Sequence, residues 1–229
     1  MVRALQYQMV RCTLHSSGLA KMWELNDNLH VHTHHVANKP IYEVENFYKY
    51  PEKVRRFLFN RYSPPWKGTQ EGKYDDRRYG QRLPKDKTLP PLEFLKDLTG
   101  IAWIPQIVTN QFKATSFPYK THYWWIHHDP CLNGIVYFNK DDEVNGTNLY
   151  KPPYEPATLE DVEPEIPKES VELLHHIKPK YNKLVVFDGV YFPHGMALND
   201  DRYFGDTYRM NQVFFERYDD DRRNYHQRK

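Results

Sequence analysis

THYWWIHHDPCLNGIVYFN, residues 121–139, is the stretch whose reading decides the rest of this chain. Thr121–His127 is rich in aromatic residues and reads as a strand, Pro130 ends it, and Gly134–Asn139 reads as another. Side chains at i and i+2 of an extended segment share a face. His127 and Asp129 are therefore expected to converge, while His128 points away. An imidazole and a carboxylate on one face lack one more imidazole to make a three-ligand metal site. His194, directly after the strand-like Tyr191–Pro193 and before Gly195, is the candidate.

Working outward, the segments around this stretch are also strand-like: Ile101–Phe117, Thr147–Lys151, Lys183–Asp188, Tyr191–His194 and Thr207–Tyr218. Pro, Asn, Asp and Gly turn signals separate them. A Pro-rich break over 152–182 carries a short helical piece, Glu169–Ile177. The first hundred residues differ. Ile41–Phe47 alternates like a strand, Pro51–Asn60 and Pro91–Leu98 read as helices, and Gly100 closes the second. Residues 61–90 read as an irregular excursion, and 219–229 as a charged tail. Helices first and short strands after predict a mainly β fold with supporting helices, a double-stranded β-helix of the jelly-roll or cupin type. The expected organisation is a single domain over 1–229: support over 1–100, barrel core over 101–218, tail over 219–229.

Composition bounds the partners. The 229 residues carry 32 basic and 30 acidic side chains, a net charge of +2, which gives no electrostatic case for nucleic acid or a membrane surface. Arg3, Gln6, Gln8 and Arg11 interrupt any apolar leader, and no membrane-length apolar run follows. Cys12 and Cys131 have no paired-motif spacing, which fits a reducing compartment. The expectation is a soluble cytoplasmic protein. Its oligomeric state is not legible.

Two imidazoles and one carboxylate form the facial set that holds non-haem Fe(II) with positions open for substrate and oxygen. Arg209 lies in the alternating segment Tyr-Arg-Met-Asn-Gln-Val-Phe-Phe, on one face with Asn211 and Val213. Its planar fork matches a carboxylate bidentately. Asn211 could add a hydrogen bond, and Tyr137 or Tyr123 a phenol. Arg202, in the loop Asn199–Gly205, is the alternative cation. His30, His32, His34 and His35 also have strand spacing but lack a carboxylate or Cys partner, and read as surface. His175 and His176 read as solvated, and the basic run Arg77–Lys87 as a solvated loop.

Together these residues carry a resemblance. His127-His128-Asp129-Pro130, Gly134–Asn139, Asn145-Gly146-Thr147, Phe187-Asp188 through Pro193-His194, and Arg209-Met210-Asn211 with Phe214-Phe215 resemble the Fe(II)/2-oxoglutarate-dependent oxygenase superfamily, near its small prolyl-4-hydroxylase-like bacterial and phage members. The resemblance covers roughly residues 101–218, with a weaker echo in Ile41–Asn60. It implies an enzyme that uses dioxygen, decarboxylates 2-oxoglutarate to succinate and hydroxylates an unactivated carbon of a small molecule, amino acid or peptide side chain. It implies His127, Asp129 and His194 as iron ligands and Arg209 at the cosubstrate's far carboxylate. Because Asp129 is present, hydroxylation is expected rather than halogenation. The alternatives are a non-catalytic cupin-like module that binds a metal or carboxylate, and a nucleic-acid-modifying oxygenase.

Overall fold

The computed structural model describes residues 21–60, 77–85, 87–112, 126–139, 145–152, 166–197 and 209–217. Antiparallel strands dominate. They are β1 (His30–Val36), β2 (Lys39–Glu45), β3 (Arg77–Arg82), β4 (Gln106–Phe112), β5 (Leu132–Tyr137), β6 (Gly146–Lys151), β7 (Glu172–Ile177), β8 (Leu184–Asp188), β9 (His194–Ala197) and β10 (Arg209–Phe215). Two ten-residue helices, α1 (Pro51–Asn60) and α2 (Pro90–Thr99), accompany them. A seven-stranded sheet has the order β1-β2-β8-β5-β10-β4-β3, and a three-stranded sheet the order β7-β6-β9. Neither sheet closes on itself among the described residues.

The layering follows from side-chain parity. β8 reads Leu-Val-Val-Phe-Asp and is buried throughout, as expected of a strand covered on both faces. Leu184 and Val186 join Val136, Met210 and Phe214 against Val54 and Leu58 of α1 and Leu92, Phe94 and Leu95 of α2. Val185 and Phe187 point the other way and join Ile135 and Tyr137 against Leu149 and Ile177 of the small sheet. The large sheet is thus packed between two helices and the small sheet. Each helix starts at a proline, whose missing N–H costs nothing in a first turn. Gly100 ends α2 in the left-handed region at φ 72° and returns its N–H to the Lys96 carbonyl.

Several expectations change here. Glu169–Ile177 is not helical: a single 3-10 turn, Lys168–Ser170, leads into the strand β7. Leu149 pairs with His175 and Tyr150 with Leu173, so Leu174 is an extra residue in a bulge. The bulge breaks the two-residue period and lets Leu174 and Ile177 imitate helical spacing, although both pack in one core cluster. Tyr191–His194 is not a strand either. Asp188 accepts N–H bonds from Val190 and Tyr191 on its carboxylate, and from Phe192 on its carbonyl, so this segment is a tight turn and β9 begins only at His194.

His30–Val36, expected as surface histidines, forms β1 and pairs with β2 through a two-residue turn in which Ala37 and Asn38 both have positive φ. The part of the 61–90 excursion that is described, Arg77–Arg82, pairs with β4. Of Ile101–Phe117, only Gln106–Phe112 is strand, with 113–117 outside the described residues. Thr121–Trp125 and the 219–229 tail also lie outside them. The first hundred residues supply three strands of the large sheet as well as both helices. Among the described residues, no helix is long and apolar enough to cross a membrane.

One residue ties the helix layer to the sheet. Asn182 has φ 61° and is buried. Its side chain accepts from the Tyr48 N–H and donates to the Tyr48 carbonyl, both at 2.9 Å. Its backbone carbonyl takes the Phe47 N–H at 2.8 Å, and its N–H bonds Tyr137 O at 2.8 Å. Asn182→Ala would leave two buried backbone groups without partners and strain a left-handed residue. It is expected to lower unfolding stability by about 3 kcal/mol in urea titration, and Asn182→Gly, which relieves the strain alone, by less.

Candidate metal centre

The centre is assembled by backbone pairing. The His127 N–H donates to the His194 carbonyl at 3.0 Å and the His194 N–H returns to the His127 carbonyl at 2.8 Å. The exchange sets the two imidazoles side by side, with ring centroids 4.5 Å apart. Two residues on, the Asp129 N–H donates to Gly189 O at 3.0 Å, inside the turn that leads to His194. Convergence of His127 and Asp129 thus occurs as the shared-face argument expects, although His127 pairs as an isolated bridge outside any named strand.

The donor atoms of His127, Asp129 and His194 all lie within 4.8 Å of one another, and this group could hold a metal ion. Asp129 Oδ1 is 3.8 Å from His127 Nε2, and Asp129 Oδ2 is 3.2 Å from His194 Nε2. His194 Nδ1 sits 3.0 Å from the Phe192 carbonyl, which can only accept. That contact fixes the proton on Nδ1 and leaves the Nε2 lone pair facing the group. The His194 lone pair and the carboxylate then face one another beside the His127 ring, an arrangement a cation would hold together. Burial alone pushes the Asp129 carboxyl up. When His194 carries a second proton, on Nε2, its hydrogen bond and charge, with the charge of His127 and the hydrogen bond from Asn133, outweigh burial and keep the carboxyl well below the ordinary carboxylate range.

A second polar group lies on the same inner face of the large sheet. Asn211 is the register partner of Tyr137, and Arg209 shares its face two residues earlier. All three are buried, Arg209 at 2% exposure. An Arg209 Nη donates to the Gly146 carbonyl at 3.2 Å, and the Tyr137 hydroxyl lies 2.7 Å from Thr147 Oγ1. Burial raises the Tyr137 phenol to about 12, against the lowering effect of the Thr147 bond and the Arg209 charge. The phenol is therefore neutral throughout the physiological range, beside a buried guanidinium.

The remaining candidates sort plainly. His128 is buried but belongs to neither group; burial pulls its pKa down, and the backbone of Val190 and Gly189 contacts it. His30, His32, His34 and His35 are exposed on the edge strand β1; His34 approaches the Glu43 carboxylate at 3.9 Å, and His32 lies near Glu45. Glu43 is already bonded to the buried Lys183 at 3.0 Å. His175 and His176 are half-buried rather than solvated, and His176 Nδ1 lies 2.8 Å from Asn148 Oδ1. Tyr123 and Arg202, the alternatives to Tyr137 and Arg209, lie outside the described residues, as do Trp124 and Trp125.

Sequence reading gave no role at the site to Asn133, Thr147 or Gly189. Asn133 bonds Asp129 Oδ2 through Nδ2, which also lies 3.1 Å from His194 Nε2. A signal existed, because Asn133 has the parity of Tyr137 and is a polar residue in an otherwise apolar strand. No protein-family model matches this chain, and no curated protein matches it.

Replacing the ligands tests the group directly. The chain is expected to bind one Mn(II) or Co(II), with affinity falling as pH drops because protons compete for the imidazoles. In metal titration, His127→Ala, Asp129→Ala and His194→Ala should each lose at least about a hundredfold in affinity, while His128→Ala stays near wild type. A Cβ at Gly189 would stand 2.7 Å from the Cys131 carbonyl and 3.0 Å from both Asp129 Cβ and Asn133 Nδ2. Gly189→Ala is therefore expected to weaken the same metal by about tenfold by displacing the carboxylate.

Proposed function

We propose that this chain is an Fe(II)- and 2-oxoglutarate-dependent oxygenase that hydroxylates a small molecule, amino acid or peptide side chain. The observation that carries this reading is the spacing along β6 between the levels of the two polar groups. The Arg209 guanidinium touches Gly146 O, and Gly146 is three residues from Leu149, the register partner of His194. At strand spacing that is about 10 Å along β6 from the level of the metal-ligand candidate. A five-carbon dicarboxylate anchored at one end by a metal and hydrogen-bonded to a guanidinium at the other is about this long. The buried fork of Arg209 supplies the geometry for a carboxylate, and the neutral Tyr137 phenol and Asn211 stand beside it.

In this reading the two sheets are the two faces of a double-stranded β-helix, bridged at His127 and His194. His127, Asp129 and His194 hold the iron. Bound iron supplies the redox chemistry that couples cosubstrate decarboxylation to oxidation of the substrate. Arg209 orients the cosubstrate and offsets the charge of its outer carboxylate. Tyr137 and Thr147 position one another at that end, and the inner-face apolar residues limit water.

The test is succinate formation by the reconstituted chain, supplied with Fe(II), 2-oxoglutarate, air and a metabolite or peptide pool, with a search for a substrate that gains one oxygen atom. Succinate should require iron and 2-oxoglutarate, and His194→Ala should abolish it. Arg209→Ala should raise the KM for 2-oxoglutarate by about 10- to 100-fold, the loss expected for hydrogen bonds to a charged group. Tight metal binding with no succinate from any pool would instead support a binding module without turnover.

A further inference from the structure

We propose that Asn133 is a positioning residue that holds Asp129 to the metal through one oxygen only, and so keeps a third coordination position open. The inference rests on the metal reading of His127, Asp129 and His194 and deepens it. A carboxylate beside a divalent cation can bind through one oxygen or both. In a six-coordinate site, two imidazoles and a one-oxygen carboxylate leave three positions; a two-oxygen carboxylate leaves two. A 2-oxoacid that chelates and an oxygen that binds beside it need all three.

What decides between the two modes is whether something engages the second oxygen. Asn133 Nδ2 donates to Asp129 Oδ2, the oxygen on the His194 side, and leaves Oδ1 facing His127. It does so without charge, so it does not repel the cation as a lysine would. The same nitrogen is 3.1 Å from His194 Nε2. That second contact is the one a metal replaces when it takes the Nε2 lone pair, whereas the contact to Oδ2 is left intact.

The amide has little freedom to do otherwise. Asn133 is 1% exposed, with Phe187 and Phe215 as its register partners on β8 and β10. The Cys131 thiol lies 3.8 Å from Asn133 Oδ1 and can only donate to it usefully. Turning the amide over would set Oδ1 against the ionised carboxylate and the Nε2 lone pair. Gly189 provides the room, because a Cβ there would stand 3.0 Å from Asn133 Nδ2.

The experiment counts exchangeable waters on bound Mn(II) by water-proton relaxation. Wild type should show three, and Asn133→Ala two, with Mn(II) bound at least as tightly and 2-oxoglutarate bound to the Mn(II) form about tenfold more weakly. Three waters in both proteins, with unchanged 2-oxoglutarate affinity, would overturn the proposal. A wild-type chain that binds no Mn(II), or a His194→Ala chain that binds it equally well, would overturn the metal reading itself, and that result is distinct. Should Asn133→Ala not fold, the 15N-labelled wild-type chain loaded with Zn(II) gives the same answer. One Asn133 amide hydrogen should be shifted downfield and slow to exchange, and two hydrogens exchanging like those of a free amide would refute the role.

Discussion

The two backbone hydrogen bonds exchanged by His127 and His194 are the constraint from which the centre follows. Each N–H and each carbonyl is used by the other residue, so neither segment can slide without losing both bonds. Exchanging such bonds for water is worth only about 1 kcal/mol each, but leaving buried partners unmade costs more. The register is therefore held by penalty rather than by attraction. Once it is fixed, the imidazoles are neighbours whatever their rotamers. Asp129 is placed by the same means, because its N–H is given to Gly189 in the turn that delivers His194. Backbone register thus brings the three residues together, and the Phe192 carbonyl and the Asn133 amide orient the His194 ring and the Asp129 carboxylate.

The large sheet divides its chemistry between its faces. Its helix-facing side is mostly apolar, with a few buried amides such as Gln111 and Gln212, the latter accepting the Tyr48 hydroxyl at 2.6 Å. Its inner side carries Asn133, Tyr137, Arg209 and Asn211 among Ile135, Val185 and Phe187. Burying a guanidinium and several amides opposes folding unless each finds partners. A sheet stabilised by packing alone would carry more apolar side chains there. The buried guanidinium and Asn133, Tyr137 and Asn211 thus share the face that carries the His–Asp–His group.

Much of this was legible in sequence because it rests on local pattern. Leu184–Phe187 reads as a buried strand from its unbroken apolar run, and α2 from its proline start and Gly100 stop. His127 and Asp129 were legible because strand geometry brings i and i+2 together, whereas His194 was singled out as following a strand, Tyr191–Pro193, that is a turn in the structure. The misreadings have local causes as well. The bulge at Leu174 converted a two-residue period into something close to a helical one. At Tyr191–Pro193, aromatic residues with strand propensity are held in a turn by the Asp188 carboxylate, a side-chain effect that propensity does not register. Asn133 was missed for a different reason. Its partners are Asp129, four residues earlier, and His194, which only the fold brings to it, so its polar parity alone did not name its role.

The two ends of the inner face differ in charge, and that difference has a consequence for how a symmetric-ended ligand would lie. Asp129 is held ionised at one end and Arg209 is buried at the other. A dicarboxylate could present either carboxylate to the guanidinium, so charge alone does not orient it. A keto group beside one carboxylate breaks the tie, because only that end can chelate, and chelation is possible only where two adjacent positions are free. Orientation therefore depends on the number of open positions as much as on Arg209. In the proposed oxygenase, a neutral amide that kept Asp129 to one oxygen and a guanidinium about 10 Å away along β6 would be two halves of one selection, the first reading the keto acid and the second the length of the chain behind it.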